Sequence, residues 1–333
     1  HGQSLAYAAR ARGIPCEVFM PREAPVAKVS AVRAYGGEVH LIGDSVDDCV
    51  AAARERAAET GAVFVHPFED PDVIMGQATL GLELLEDVPD LAMIIVPVGG
   101  GGLISGIASV VRAARPQVSI IGVQVDACAA FPQSLAGNEP LAVPSRPTIA
   151  DGIAVKRPGG LTLELVRRWA DEVRVVREDD VADAIVLLAE RAKLVVEGAG
   201  AVGVAALTTG VVTPAAQGST VVVLSGGNID AGLLALIAQR HETGAGRRLR
   251  LFTLISDRPG GLAALLTLVA RAGGNLVSVQ HVRDAVPLHV RQTGVELVLE
   301  TRGSEHATEI LATLAGAGYE MQEMQELSLP ADE

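Results

Sequence analysis

The chain has 333 residues, 49% of them apolar and only 3% aromatic, and a formal net charge of −13. This length suits two or three domains with aliphatic cores, and the charge argues against nucleic acid or an anionic membrane as a partner. Cys16, Cys49 and Cys128 form neither a disulfide framework nor a zinc pattern, which points to a reducing, cytoplasmic setting. No apolar run is long enough to span a bilayer and no signal peptide is visible.

In chain order, the pattern predicts a helix near 3–12, a strand at 17–20, a helix near 26–35, a strand at 38–42, a helix at 46–60 and a short strand at 62–65. Such alternation with short loops signals a parallel sheet covered by helices. His66-Pro67-Phe68-Glu69-Asp70-Pro71 is rich in turn formers and reads as a crossing between subdomains. From Ile74 a second α/β region runs to about His241, with a strand at 119–124 and helices near 160–170, 179–193 and 229–241. Residues 242–248 read as a linker. Beyond it come a strand (249–256), helix (259–272), strand (275–283), strand (290–301), helix (304–316) and strand (319–326). That βαββαβ order is the ferredoxin-like split motif. Pro259 suits the first position of its first helix, with Asp257 as the cap.

Two apolar strands of the middle region end in glycine-rich turns: Ile94-Ile95-Val96-Pro97-Val98-Gly99-Gly100-Gly101-Gly102-Leu103 and Val221-Val222-Val223-Leu224-Ser225-Gly226-Gly227-Asn228. Consecutive glycines let bare backbone N–H groups approach an anion, and a helix starting near Leu103 adds the positive end of its dipole. The first turn therefore reads as a phosphate cradle. The second aims one hydroxyl, Ser225, at the sheet edge where ligands of open α/β sheets gather. The glycines lack the G-x-G-x-x-G spacing of dinucleotide folds, although Asp126 lies at about the distance of the ribose-binding acid, so a dinucleotide remains open on this ground. No Walker lysine follows. Glu197, between an apolar run and small residues, reads equally as a buried functional acid or as a helix-start carboxylate. Asp47-Asp48 and Glu178-Asp179-Asp180 read as first-turn helix charges. His40, His66, His281 and His289 share no metal-ligand spacing, and no Ser-His-Asp constellation can be assembled.

Taken in order, His1-Gly2-Gln3, Pro71-Asp72-Val73-Ile74-Met75-Gly76-Gln77, Gly99–Leu103, Asp151-Gly152-Ile153-Ala154-Val155, Glu197-Gly198-Ala199-Gly200 and Ser225-Gly226-Gly227-Asn228 resemble the fold-type II (tryptophan synthase β-like) pyridoxal phosphate (PLP) enzymes. Within them the set is similar to threonine dehydratases that carry a C-terminal ACT regulatory domain, and the resemblance covers essentially the whole chain. It implies a catalytic domain over 1–241 (subdomains 1–65 and 66–241), the linker at 242–248 and an ACT-like domain over 249–327.

By the resemblance, Gly99, Gly100, Gly101, Gly102 and Leu103 would hold the cofactor phosphate, and Ser225 would hydrogen-bond the pyridine nitrogen. In the family a lysine within Ser-Phe-Lys-x-Arg forms the Schiff base, and an asparagine in Ser-x-Gly-Asn-His-Gly-Gln meets the 3′ oxygen. The chain begins at the histidine of that second motif, so both residues are expected upstream of His1. Lys28, Lys156 and Lys193 sit in no matching motif. Some relatives bind a divalent cation after the strand that follows the glycine loop. Here only Asp126 could ligate, so no metal is expected. The resemblance implies α,β-elimination of L-threonine to 2-oxobutanoate and ammonia in a cytoplasmic homo-oligomer. Isoleucine or valine would be effectors at the ACT-like unit, around Arg258–Leu262 and Asn275. The alternatives are a serine dehydratase or serine racemase, a non-catalytic amino-acid-binding protein, and a dinucleotide-dependent oxidoreductase.

Overall fold

Helix α1 (Gly2–Arg12) opens the chain and ends at Gly13, whose φ of 66° only glycine adopts cheaply. Strand β1 (Glu17–Met20), α2 (Val26–Ala34), β2 (Glu38–Leu41) and α3 (Val46–Thr60) complete a small subdomain whose two strands pair in parallel. This computed structural model describes residues 1–282 and 291–323. His289 and the expected strand residues 283, 290 and 324–326 lie outside them. A capping box starts α3: Ser45 Oγ accepts the Asp48 N–H, and Asp48 accepts from the Ser45 N–H. The Ser45 hydroxyl, followed by the amides of Asp44 and Ser45, holds the Asp48 carboxyl below its usual range. The strand expected at 62–65 pairs with nothing among the described residues. Val63 is 87% exposed, so no apolar face rewards pairing there.

The larger subdomain begins with α4 (Pro71–Asp87). Asp70 caps it by accepting the N–H groups of Asp72 and Val73, and Pro71 takes the first helical position. Then follow β3 (Leu91–Pro97), α5 (Gly102–Ala114), β4 (Ser119–Val125), α6 (Ala130–Gly137), α7 (Gly160–Trp169), β5 (Glu172–Val176), α8 (Glu178–Leu187), α9 (Gly198–Thr208) and β6 (Ser219–Val222). The helix expected over 179–193 stops early: a π-helical turn, Leu188–Ala192, succeeds α8 and ends at Lys193 with φ 59°. The sheet is wholly parallel in the order β5-β4-β3-β6. Ile94 and Val96 of β3, Ile104 and Ile107 of α5, and Ile120 of β4 share its buried core. Burial on both faces explains why these strands read as unbroken apolar runs. Helices α4 and α5 meet at glycines. A Cβ on Gly106 would lie 2.5 Å from the Ile74 carbonyl oxygen, and one on Gly81 would lie 3.1 Å from that of Ile107.

The chain divides into two units between Asp230 and Ala231, earlier than the expected boundary. Residues 242–248 are no linker. Helix α10 (Ala231–Gly244) runs into them, Arg247 donates to Glu242 at 2.6 Å, and β7 (Arg248–Ser256) starts at once. Helix α11 (Gly261–Arg271), β8 (Asn275–Val282), β9 (Gln292–Glu300), α12 (Ser304–Gly316) and β10 (Met321–Glu323) finish the unit. Its antiparallel sheet has the order β10-β7-β9-β8, the β-α-β-β-α-β split arrangement. Leu251, Leu265, Leu297, Leu299 and Ile310 lie in its core. Helix α11 starts two residues later than expected. Gly260, with φ 90°, takes the cap position because Arg258 and Gly261 close a tight turn on Ser256 and Arg258.

Candidate active site

The Val98 N–H donates to the Val123 carbonyl at 2.8 Å, the last such bond as the chain leaves β3. The next five amides, Gly99, Gly100, Gly101, Gly102 and Leu103, donate to no group among the described residues. They run straight into the N-terminus of α5, whose first turn holds no acidic residue. Unpaired, largely buried donors at the positive end of a helix dipole form a site for an anion.

Glycine is required along this turn because protein packs against its backbone. A Cβ on Gly99 would lie 3.0 Å from Ile153 Cα, and one on Gly100 would lie 2.2 Å from the Phe68 ring. Gly101 has φ 93°, and its Cβ would lie 2.6 Å from Phe131 Cζ and 3.0 Å from Thr162. Each supporting residue is itself held. His66 Nδ1 accepts the N–H groups of Phe68 (3.2 Å) and Glu69 (2.9 Å). Burial first, and then the charge of Arg54, push His66 below the usual histidine range, in keeping with a neutral ring that accepts. The Glu69 carboxylate takes the N–H groups of Leu161 and Thr162 in the first turn of α7. The buried Gln124 side chain donates to the Val98 carbonyl at 3.1 Å and accepts the Phe131 N–H at 2.9 Å. The sequence drew attention to the turn-rich segment 66–71 but not to Phe68, one of only five phenylalanines.

Ser225 lies three residues beyond β6, the strand beside β3, so both glycine-rich turns leave the same sheet edge. It is exposed, and its hydroxyl has no partner among the described residues. Glu197 holds the N-cap position of α9, as the helix-start reading expects, and is half-buried. Its carboxyl is pushed up, first by burial and then by the nearby charge of Asp151, with Lys28 and the amide of Asn228 opposing. The ionised form therefore costs the folded state stability above the raised value, and the cost disappears as pH falls to the unfolded value of about 4.3. Glu197→Gln is accordingly expected to raise the melting temperature near pH 8 and to match the parent near pH 4. A melting series across that range checks this; a gain that grows towards acid would contradict it.

Lys28 is bound to Asp151 at 2.6 Å and Lys193 donates to the Glu190 carbonyl at 2.7 Å. Asp126 faces Arg146 at 3.4 Å. His40 meets Glu17 at 3.0 Å. Among the described residues no three His, Cys, Asp or Glu side chains are grouped to hold a metal, and no helix is long and apolar enough to cross a membrane.

The family signature of pyridoxal-phosphate dependent enzymes matches residues 1–227. The chain belongs to that family, and its cofactor class is pyridoxal phosphate. It is 48% identical over 319 residues to an L-threonine ammonia-lyase of Geobacter sulfurreducens, covering 96% of this chain and 79% of that one. It is 44% identical over 322 residues to an L-threonine ammonia-lyase of Thermotoga maritima, covering 97% and 80%. Among solved structures it is similar to maize serine racemase, with a TM-score of 0.66 and 37% identity over 73% of this chain and 75% of that one.

Proposed function

We propose that this protein is a PLP-dependent threonine ammonia-lyase that converts L-threonine to 2-oxobutanoate and ammonia. The observation that carries the reading is the row of five amides without acceptors at the start of α5, in a chain 48% identical to an L-threonine ammonia-lyase. When bound, the cofactor supplies an electron sink for the bond electrons of the substrate Cα–H. The amides from Gly99 to Leu103 would bind the phosphate group. Ser225 would donate its hydroxyl hydrogen to the pyridine nitrogen. A serine hydroxyl is too weak an acid to protonate that nitrogen, where an aspartate would, and this favours loss of a β substituent over transamination. Asp151–Val155, which packs against Gly99 through Ile153, would line the substrate side.

The resemblance to maize serine racemase motivates a second reading, the same chemistry on serine or its racemisation. One methyl group in a pocket is worth about 1–3 kcal/mol, so the two substrates are separated by degree. In the C-terminal unit, an ACT-type effector site for isoleucine or valine would use the backbone between Arg258 and Leu262. Asn275 is already engaged, donating to Glu300 at 2.7 Å. We place the protein in the cytoplasm as a homo-oligomer.

The test is kcat/KM for L-threonine and L-serine, with and without isoleucine or valine, on protein expressed from its natural start codon. Threonine is expected to be the better substrate. Absence of 2-oxobutanoate, or a higher kcat/KM for serine, overturns the reading.

A further inference from the structure

Ser225 is suspended between two anchors. On one side the Val223 N–H donates to the Ile95 carbonyl of β3 at 3.0 Å. On the other, the Glu197 N–H donates to the Gly226 carbonyl at 3.0 Å, and the Glu197 carboxylate lies against the turn, where the backbone amide of Asn228 favours its ionised form. One residue thus meets the turn twice, by its backbone and by its side chain. The fit is close. A Cβ on Gly226 would lie 2.4 Å from Glu197 Oε1, one on Gly200 would lie 3.0 Å from the Gly226 carbonyl oxygen, and one on Gly227 would lie 2.5 Å from the Val195 carbonyl oxygen. Glycines at 200, 226 and 227 therefore allow the start of α9 and the second turn to interlock.

From this geometry we infer that Glu197 is a positioning residue: it clasps the Gly226–Asn228 turn and so fixes where Ser225 presents its hydroxyl. The inference rests on the cofactor reading of Ser225. Asp151, held by Lys28, is a nearby carboxylate that raises the cost of the Glu197 charge. A clasp made by a carboxylate persists against that cost because an ionised acceptor makes the stronger hydrogen bond to a backbone N–H.

The variants are Glu197→Ala, which removes the acceptor, and Glu197→Gln, which keeps one. Two readouts separate the clasp from the cofactor reading: hydrogen exchange at the Asn228 amide without PLP, and the PLP dissociation constant followed by its absorbance. Glu197→Ala is expected to lose Asn228 protection and to weaken PLP binding by about tenfold, while Glu197→Gln holds both within about twofold. If Glu197 acts through Ser225, Glu197→Ala adds no further loss of PLP affinity to Ser225→Ala. Unchanged Asn228 protection in Glu197→Ala, or affinity losses that simply add in the double variant, would overturn the inference. A parent protein that binds no PLP would overturn the cofactor reading instead, and the exchange measurement would still decide the clasp.

Discussion

Gly101→Ala is expected to abolish PLP binding and to destabilise the N-terminal unit by about 3 kcal/mol. Two costs combine. At φ 93° a side chain strains the backbone by roughly 1–2 kcal/mol, and the new methyl would lie 2.6 Å from Phe131. Phe131 is completely buried and cannot swing away, so overpacking adds about 1–3 kcal/mol. For a unit of this size the first unfolding transition should fall by roughly 6–12 °C. Relief by backbone rotation would turn the Gly101 and Gly102 amides, so affinity should fall along with stability. A Gly101→Ala protein with the parent's PLP dissociation constant would show that this turn does not hold the cofactor.

Gly106→Ala should have the next largest effect, and it acts at a distance. The added methyl would lie 2.5 Å from the Ile74 carbonyl oxygen and 2.6 Å from the Ala78 nitrogen. These are backbone atoms of α4, so relief requires the two helices to move apart. Alanine gains about 1 kcal/mol in helix propensity over glycine, yet a net loss of about 2 kcal/mol is expected because the core below also opens. Helix α5 carries the glycine turn on its N-terminus, so PLP affinity should drop as well. Gly76→Ala in α4 is the control: nothing lies within 4 Å of its Cβ position, and it should be neutral or slightly stabilising. Melting temperatures of the two variants decide the matter; equal values would refute the tight-crossing account.

Most of what positions the site was legible because it is written in local chemistry. The apolar runs ending in Gly99–Gly102 and in Ser225-Gly226-Gly227 marked two neighbouring strands, β3 buried and β6 half-buried, and the edge at which they stop. The sequence marks helix α9 only at its start, by Glu197, and hides its extent for a physical reason. Gly198 to Val202 are buried on every side, so no polar face exists to give a 3.6-residue rhythm. The Asp70 cap and Pro71 signal the start of helix α4, but the same turn formers also suit a crossing between subdomains. Strand β5 is short, and residues 62–65 show the converse, an apolar stretch that joins no sheet among the described residues. Tertiary partnerships left no local trace: Glu69 at the start of α7, Gln124 between Val98 and Phe131, and the double contact of Glu197 all join residues distant in sequence.

The order of strands in the parallel sheet also sets a timetable. Strand β3 ends at Pro97, but β6, its neighbour on the ligand edge, starts only at Ser219. At about 5–20 residues per second, a ribosome takes on the order of ten seconds to make the stretch between them. Until then one side of β3 has an open edge of backbone donors and acceptors, flanked by some of the most apolar sequence in the chain. The pairing is non-local, the kind that folds slowly and is exposed to aggregation. The two glycine-rich turns at the ends of β3 and β6 therefore come together late in biogenesis, after most of the N-terminal unit has been synthesised.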